Sequence, residues 1–353
     1  MNMTVAVIGC GRIAKAAHFP ALSKIEGVRV KYACDIIEAK AIEAKEKFPI
    51  IENVCTDYHE VLNDKEVEAV FVLTPNYVHY TVAMDALRAG KHVLCEKPIT
   101  VNYELSKEMA EEAKKQNRML NIGVCNRYNE AVVRLAEMYK NGEFGNIYHV
   151  VCSFRRCRSI PGLGGAFTDK KQSGGGVLID WGIHFLDLVL YILGSPKLKT
   201  VTSNAYCEMA KDMKSYKYSY MWAEDTKDVE NGVNDVDDMI SGYIRTESAS
   251  ISFNGAWAQN VNRDEMYIDF LGEKKGCRLD YSGGFYHLFD GETLTETKPE
   301  FERPNMYWRE DVAFLESIRS GVKDRNNIEN ILESAKLLDT LYASSEKGEE
   351  LKL

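Results

Sequence analysis

The sequence predicts an α/β protein, with a doubly wound parallel sheet in its N-terminal third and a second α/β domain dominated by antiparallel strands. Up to about residue 124, short apolar runs alternate with helical patterns, as in a parallel sheet covered by helices on both faces. Beyond it, several segments alternate apolar and polar residues, which is typical of half-exposed antiparallel strands. A chain of 353 residues is long enough for two domains, which we place at residues 1–124 and 125–353, with packing of the C-terminal helix back on the first domain as an alternative.

The parallel sheet is predicted from buried runs separated by helices. The strands are Thr4–Ile8, Val28–Cys34, Ala69–Leu73, His92–Cys95 and Met119–Val124. The helices are Ile13–Lys24, Ile37–Lys47, Val78–Ala89 and Tyr103–Gln116. Gly90 follows the third helix, where a residue in the left-handed conformation ends a helix.

The second domain begins with the predicted helix Ala131–Lys140 and continues mainly as strands. These strands are Ile147–Arg155, Lys199–Tyr206, Met239–Ile244, Ala249–Trp257, Met266–Leu271 and Cys277–Tyr281. The polar and aromatic segment Glu208–Gly232 is predicted as a long loop or an irregular strand. The tail is predicted as helix from Trp308 to about Ser345.

Composition and charge exclude several classes of protein. Lysine and arginine number 44 against 53 aspartates and glutamates, and the net charge of −9 disfavours nucleic acid as a partner. The longest apolar stretch, Val177–Leu193, contains Asp180, His184 and Asp187, which argues against a membrane span. The nine cysteines form no CxxC pair, and the apolar N-terminus has no basic segment or cleavage site. We therefore expect reduced thiols, no signal peptide and a cytoplasmic protein.

A glycine-rich turn joins the first strand to the first helix. Residues 9–14 have the form G-x-G-x-x-A, the pattern that binds the pyrophosphate of a dinucleotide at a helix N-terminus. Gly9 permits the tight turn, Gly11 lets the backbone approach the phosphates, and Ala14 allows close packing of helix against strand. Cofactor contacts are therefore predicted for Gly9, Cys10, Gly11, Arg12 and Ile13.

Asp35 ends the second predicted strand and selects the cofactor. A carboxylate at this position accepts hydrogen bonds from the adenosine ribose hydroxyls and repels a 2′-phosphate. Ile36 and Ile37 follow it, so no adjacent cation attracts that phosphate. The sequence predicts NAD rather than NADP.

Glu96-Lys97-Pro98 follows the strand His92–Cys95, at the sheet edge where doubly wound folds bind ligands. A lysine at this position faces the cofactor crevice. Pro98 restricts Lys97 to extended geometry and is a candidate for a cis peptide bond.

Asp180, His184 and Asp187 follow Gly174-Gly175-Gly176 on a predicted apolar helix. At roughly 100° per residue, the three side chains fall within about 60° of one another. Such a stripe is costly to bury unless it lines a cleft or forms a hydrogen-bonded structural cluster. One histidine and two aspartates suit zinc, but a second histidine or cysteine at ligand spacing is missing, so no metal is predicted.

In combination, these motifs resemble the glucose–fructose oxidoreductase/inositol dehydrogenase (Gfo/Idh/MocA) family. They are the G-x-G-x-x-A loop, Thr74-Pro75-Asn76 with His79, Glu96-Lys97-Pro98, and G-G-G followed by D-x-x-x-H. The resemblance covers nearly the whole chain, and it is specific to the family but not to a substrate. It implies an N-terminal Rossmann domain and a C-terminal domain with a large open sheet, through which members commonly form dimers or tetramers.

The resemblance also implies roles for single residues. It implies that Thr74, Pro75, Asn76 and His79 border the nicotinamide half of the cofactor and that the loop Asn126-Arg127-Tyr128 touches nicotinamide and substrate. Glu96, Lys97 and Asn126 are also expected to bind the cofactor. The positions that match catalytic residues are Lys97, Asp180 and His184. The residues expected to touch substrate are these three together with Arg127, Tyr128 and Asp187.

The chemistry of these side chains suits oxidation of a secondary alcohol. His184 is the natural general base, because histidine has the side-chain pKa nearest neutrality. Asp180 can orient His184 or bind a neighbouring hydroxyl, and Lys97 can stabilise alkoxide character on the reacting oxygen. Lys97 can instead be the base, and the sequence does not decide between the two. The hydride passes to the nicotinamide.

The leading hypothesis is an NAD-dependent dehydrogenase of a sugar, glycoside or cyclitol, with the C3 hydroxyl of a glucoside as the favoured target. The alternatives are an inositol dehydrogenase and a glycosidase that oxidises its sugar transiently with bound NAD. A non-catalytic NAD-binding regulator ranks last, because it has little need for Lys97, Asp180 and His184 together.

Two features leave the substrate open. Arg155, Arg156 and Arg158 suit either an anionic substrate or ion pairs within the protein. Tyr216, Tyr218, Tyr220 and Trp222 recur at every second position, and they suit stacking on a sugar, a subunit contact or loop packing.

Overall fold

The structure, a computed structural model, describes residues 3–353. They form two compact units. The first contains the chain up to Tyr128 together with Pro304–Leu332, and the second contains Asn129–Arg303 with Glu333–Leu353. The sequence predicts one boundary, after residue 124, whereas each unit is built from two segments of the chain.

The first unit contains a six-stranded parallel sheet with the strand order β3-β2-β1-β4-β5-β6. Its strands are β1 (Met3–Ile8), β2 (Val28–Cys34), β3 (Ile51–Cys55), β4 (Ala69–Val72), β5 (His92–Glu96) and β6 (Leu120–Gly123). Its first helices are α1 (Phe19–Leu22), α2 (Glu38–Lys47), α3 (Tyr58–Asn63), α4 (Asn76–Arg88) and α5 (Tyr103–Gln116). The predicted doubly wound sheet is confirmed. The strand order reverses direction between β1 and β4, which is where such sheets bind ligands.

Two elements of this unit were not predicted. Strand β3 lies at the edge of the sheet and exposes Glu52 and Asn53, so it lacks the continuous apolar run of a buried strand. Helix α3 has only six residues, too few for a clear helical period. The helix after the glycine-rich turn also differs, because Ala14–His18 is a π-helical turn that precedes α1.

The second unit contains a nine-stranded sheet with the order β14-β13-β12-β11-β7-β10-β9-β8-β15. Its helices are α6 (Glu130–Lys140), α7 (Lys170–Ser173) and α8 (Ile183–Ile192). Its strands are β7 (Ile147–Cys157), β8 (Leu198–Tyr206), β9 (Met239–Thr246), β10 (Ser250–Gln259), β11 (Glu265–Gly272), β12 (Lys275–Asp280), β13 (Phe285–Asp290), β14 (Thr295–Thr297) and β15 (Leu351–Lys352). Only β7 and β10 pair in parallel, so the predicted, mostly antiparallel sheet is confirmed.

The tail consists of two helices, α9 (Met306–Ser320) and α10 (Leu332–Lys347). The tail predicted as helical from Trp308 to about Ser345 is thus confirmed, but it is divided into two helices. Gly321 has φ +72° and ends α9 in the left-handed conformation. Phe314 of α9 packs edge-on against Phe71 of β4 in the first unit, with 5.6 Å between ring centroids.

The helix that carries Asp180, His184 and Asp187 begins with the π-helical turn Leu178–Gly182 and continues as α8. It belongs to a helical run, Lys170–Ile192, that is long and apolar enough to cross a membrane by length and composition alone. Of its apolar window, 83% is buried inside the protein. Burial of this extent is typical of the core helix of a globular domain.

Candidate active site

The glycine-rich turn of the first unit has the shape that a bound phosphate requires. Gly9 has φ +99°, and a Cβ there would lie 2.5 Å from the carbonyl oxygen of Leu73. A Cβ on Gly11 would meet no atom within 4 Å, so the backbone at that position borders open space. The first glycine is thus required by the fold, whereas the second leaves room for a ligand.

Asp35 is held beside this turn by two backbone amides. Its Oδ2 accepts a hydrogen bond from the amide of Cys10 at 2.8 Å, and its Oδ1 accepts one from Ile37 at 2.9 Å. Ile36 is 85% exposed, so an apolar surface rather than a cation lies next to the carboxylate. Burial, with Asp35 nearby, raises the pKa of the Cys10 thiol to about 12 and keeps it protonated. The arrangement suits a neutral ribose diol.

Residues 74–79 lie after β4 and place one unsatisfied polar atom at the predicted nicotinamide side. The hydroxyl oxygen of Thr74 is buried without a hydrogen-bond partner among residues 3–353. The ring nitrogens of His79 lie 2.8 Å from the carbonyl oxygens of Pro98 and Thr74. Burial lowers the pKa of His79, so the ring is neutral and donates to one of these carbonyls. His79 therefore ties the Thr74 turn to the loop after β5.

That loop carries Lys97, which is half-buried and joined to Pro98 by a cis peptide bond. The amide of Lys97 donates to Oε2 of Glu96 at 2.9 Å. Oε1 of Glu96 lies 3.2 Å from Nε2 of His18, whose Nδ1 lies 2.9 Å from Oδ1 of Asp311. Burial favours a neutral His18, but the carboxylates of Asp311 and Glu96 raise its pKa well above the usual value. The predicted cofactor residue Glu96 is thus one member of a buried ion cluster.

Asn126, Arg127 and Tyr128 are buried in a 3₁₀ turn after β6. The guanidinium of Arg127 donates to the carbonyl oxygens of Arg325 and Asn330, at 2.7 and 3.1 Å. The hydroxyl of Tyr128 donates to Asp324 at 2.5 Å, and burial together with this carboxylate raises the pKa of Tyr128. These two side chains, predicted to touch substrate, bind other parts of the first unit.

The second unit holds the other predicted catalytic residues. Asp180 is 7% exposed, and its Oδ2 accepts a hydrogen bond from the indole of Trp257 at 3.2 Å. His184 is half-buried. Asp187 is fully buried and accepts a hydrogen bond from the hydroxyl of Ser334 at 2.6 Å.

The predicted stripe of three ionisable groups therefore needs correction. The π-helical turn changes the angle between residues 180 and 184, because a π-helix turns less per residue than the 100° of an α-helix. Asp187 is as buried as the apolar residues around it, with an internal partner. Asp180 and His184 remain the more accessible pair.

The three arginines at the C-terminal end of β7 have partners inside the second unit. Arg155 donates to Glu265 through Nε and Nη2, at 3.0 and 2.7 Å. The guanidinium of Arg156 lies 5.2 Å from the ring centroid of Trp181, and Arg158 donates to the side chain of Asn260. Arg155 and Arg158 are therefore accounted for by internal hydrogen bonds, whereas Nε of Arg156 lies 3.6 Å from Oδ2 of Asp264 and is buried without a hydrogen-bond partner among residues 3–353.

The aromatic segment 208–232 is irregular, with one short 3₁₀ turn, as the loop alternative predicts. Tyr216 and Tyr218 contact each other edge-on at 4.7 Å, and Trp222 contacts Phe167 at 4.6 Å. Tyr220 is 57% exposed, and its ring centroid lies 5.7 Å from the guanidinium of Arg156. Most of these rings therefore have packing partners within the unit.

Family models match both parts of the chain. The model described as "Oxidoreductase family, NAD-binding Rossmann fold" (GFO_IDH_MocA) matches residues 3–124. The model described as "GFO/IDH/MocA C-terminal domain" matches residues 132–278. Together they extend from β1 to β12, so the features that fit a dinucleotide lie within an NAD-binding domain.

Similar proteins include several oxidoreductases. The chain is 29% identical to D-glucoside 3-dehydrogenase of Escherichia coli, over 99% of this chain and 97% of that protein. It is 35% identical to inositol 2-dehydrogenase of Salmonella typhimurium, but over only 41% of this chain and 44% of that protein. Among solved structures, levoglucosan dehydrogenase in complex with NADH and levoglucosan superposes with a TM-score of 0.85 at 19% identity, covering 100% of this chain and 99% of that one. This last match supports the fold.

Proposed function

Because the chain belongs to the Gfo/Idh/MocA family of NAD-binding oxidoreductases, we propose that it oxidises the C3 hydroxyl of a glucoside to a 3-keto glucoside. The observation that carries this choice is the similarity to D-glucoside 3-dehydrogenase along almost the entire length of both chains. The similarity to inositol 2-dehydrogenase covers less than half of either chain.

A neutral substrate agrees with the charges of the second unit. An anionic sugar needs an unpaired cation, whereas Arg155 is paired with Glu265 and Nε of Arg156 lies 3.6 Å from Oδ2 of Asp264. Asp180 and His184 offer an acceptor and a donor–acceptor pair, which suit adjacent ring hydroxyls.

The first unit would hold the cofactor. The open space at Gly11 and the helix N-terminus that follows it would accommodate the pyrophosphate, and Asp35, which accepts the amide of Cys10, would also accept hydrogen bonds from the ribose. The buried hydroxyl of Thr74, together with Pro75, Asn76 and Asn126, is assigned to the nicotinamide side. When bound, NAD accepts a hydride from the carbinol carbon.

The remaining steps belong to side chains. His184 removes the hydroxyl proton of the substrate while the C–H bond breaks, so the alcohol loses one proton and one hydride and becomes a ketone. Lys97 donates a hydrogen bond to the reacting oxygen as negative charge develops on it. Asp180 orients His184 or a neighbouring hydroxyl. Arg127, Tyr128 and Asp187 are assigned to the substrate side of the site, where their internal partners hold them in place.

The proposal extends to location and assembly. All nine cysteines are free thiols, and seven of them are buried, which suits a reducing cytoplasm. The nine-stranded sheet of the second unit is assigned as the surface through which copies of the chain form a dimer or tetramer.

A substrate panel tests the proposal. Methyl glucosides, free sugars, inositols and sugar phosphates are each offered with NAD, and both NADH and released aglycone are measured. Glucosides should support the highest kcat/KM, with one NADH formed for each ketone. Aglycone release without net NADH would indicate instead a glycosidase that recycles its NAD.

A further inference from the structure

We propose that Asp237 is a positioning residue that sets the register of the helix presenting Asp180 and His184. The inference relies on the proposed function for what these two residues do, but the contacts that carry it are independent of any substrate. Asp237 is 7% exposed and lies just before β9, far along the chain from the helix.

Asp237 binds successive amides at the start of this helix. Its Oδ1 accepts a hydrogen bond from the amide of Gly176 at 2.7 Å, and its Oδ2 accepts one from Leu178 at 3.0 Å. Its main-chain oxygen accepts the amide of Val177 at 2.9 Å. The first amides of a helix have no partner within the helix. One residue, 59 positions away from Leu178, therefore supplies three of the missing acceptors.

Gly175 and Gly176, which precede the helix, leave the space that Asp237 and Tyr342 occupy. A Cβ on Gly176 would lie 1.9 Å from the main-chain oxygen of Asp237, and one on Gly175 would lie 2.3 Å from the hydroxyl of Tyr342. That hydroxyl also donates to Oδ1 of Asp237 at 2.7 Å. The last two glycines of the G-G-G motif are thus explained by the close approach of Asp237 and Tyr342, whereas Gly174, with φ +86°, ends α7.

Asp238, the residue after Asp237, is connected to the Asp180 side chain. The main-chain oxygen of Asp238 accepts the amide of Trp257 at 2.8 Å, and the indole of Trp257 donates to Asp180. The amide of Asp180 donates to the carbonyl oxygen of Gly176 at 3.0 Å. Asp180 is therefore fixed through its backbone and through its carboxylate, and both connections lead to residues 237 and 238. His184 follows four residues later on the same helix.

The test is Asp237→Asn. The substitution preserves the shape of the side chain, but it replaces one carboxylate oxygen with an NH₂ group that faces a backbone amide of Gly176 or Leu178 and cannot accept its hydrogen bond. A displacement of about 1 Å can lower turnover ~10²-fold, and we expect a kcat loss of this size with the Kd for NAD unchanged. The matched control is Asp235→Asn. Asp235 is exposed and accepts the amide of Lys170 at 2.7 Å, at the start of the short helix α7. Its kcat should stay within about twofold of the unmodified protein.

Two readouts report on the contacts without turnover. The indole N–H resonance of Trp257, assigned with Trp257→Phe, should shift in Asp237→Asn, and the amides of Gly176 and Leu178 should exchange faster. Neither should change in Asp235→Asn. A folded Asp237→Asn protein with unchanged kcat and an unshifted indole would overturn the inference.

Tyr342→Phe provides a second, milder variant if Asp237→Asn does not fold. This substitution removes the hydrogen bond from Tyr342 to Oδ1 of Asp237. We expect a smaller loss of kcat than in Asp237→Asn, and a shift of the Trp257 indole resonance in the same direction. If neither kcat nor the indole resonance changed, the result would count against the inference. Failure of the unmodified protein to reduce NAD with any glucoside would reject the proposed function, whereas the indole and exchange readouts would still test the contacts of Asp237.

Discussion

At the scale of single residues, the carboxylates of the first unit are fixed in position by hydrogen bonds to backbone amides and to a buried histidine. Asp35 receives two backbone amides and keeps its place beside the glycine-rich turn. Glu96 contacts His18 and accepts the amide of Lys97, and these contacts hold the loop that carries the lysine. Breaking a buried ion pair of this kind typically costs about 3–5 kcal/mol.

Asp35→Ala should reduce the preference for NAD over NADP. The substitution removes an acceptor for the ribose hydroxyls and the charge that repels a 2′-phosphate, and a change of about tenfold in the ratio of kcat/KM values is expected. Asp57→Ala is the control, because Asp57 caps α3 through the amide of His59 and follows the neighbouring strand β3. Equal or tighter binding of NADP by the unmodified protein would refute the assignment.

Lys97→Met, Asp180→Asn and His184→Ala should each remove most of the activity while NAD still binds. A positioned acid or base is typically worth about 10²–10⁴ in rate. Turnover is measured with a saturating glucoside, and NAD binding by calorimetry. Near-normal turnover in His184→Ala would transfer the role of base to Lys97.

At the scale of elements, the buried strands were predictable and the edges were not. Strand β2 (Val28–Cys34) and helix α5 (Tyr103–Gln116) have the predicted bounds, because an apolar run and a helical period determine them locally. Strand β3 was missed because its polar residues face solvent at the sheet edge. The π-helical turn before α8 was missed because an apolar sequence does not distinguish it from an α-helix.

The candidate site was predictable only in part, because local sequence patterns do not identify contacts between distant segments. Motifs pointed to Asp180, His184 and Asp187, but the residues that bind them come from distant segments: Trp257 for Asp180 and Ser334 for Asp187. Local periodicity tells which face of a helix a residue occupies, and it does not tell what packs there. Arg127 and Tyr128 show the same limit, since their hydrogen-bond partners lie about 200 residues further along the chain.

Asp238, which precedes β9, should make stability depend on pH. Burial raises its pKa to about 6, its Oδ2 accepts the amide of Met209 at 2.5 Å, and its Oδ1 has no partner among residues 3–353. A raised carboxyl pKa contributes stability that is full below the unfolded value of about 3.9 and is lost as pH rises through 6.

Asp238→Asn removes this titration. The free energy of unfolding of the variant relative to the unmodified protein should therefore increase between pH 4 and pH 7, by about 2–3 kcal/mol, and then level off. Urea unfolding across this range is the measurement. A difference that does not change with pH would contradict the assignment, and Asp235→Asn, at an exposed carboxylate, is the control.

At the scale of the whole molecule, the nine-stranded sheet presents one face on which large side chains remain accessible. Phe289 of β13 is 47% exposed, and the strand register places it on the same face as His149 and Val151 of β7 and Tyr243 of β9, which are all half-buried. An extended accessible face with aromatic residues is typical of a protein interface.

The assembled protein should therefore be a dimer or tetramer of the 40.0 kDa chain by light scattering coupled to gel filtration. Val151→Lys, at the centre of the sheet, should lower the mass to that of one chain. Val322→Lys, at a residue in the first unit that is 67% exposed, should not. A single-chain mass for the unmodified protein at micromolar concentration would argue against this assembly.

The position of the ketone tests the central claim most directly. The unmodified protein is incubated with NAD and methyl β-glucoside, and the carbonyl carbon of the product is located by NMR. The proposed function predicts a ketone at C3 of an otherwise intact glucoside, formed in equal amount with NADH. A ketone at another ring carbon, or activity confined to phosphorylated sugars or inositols, would contradict it.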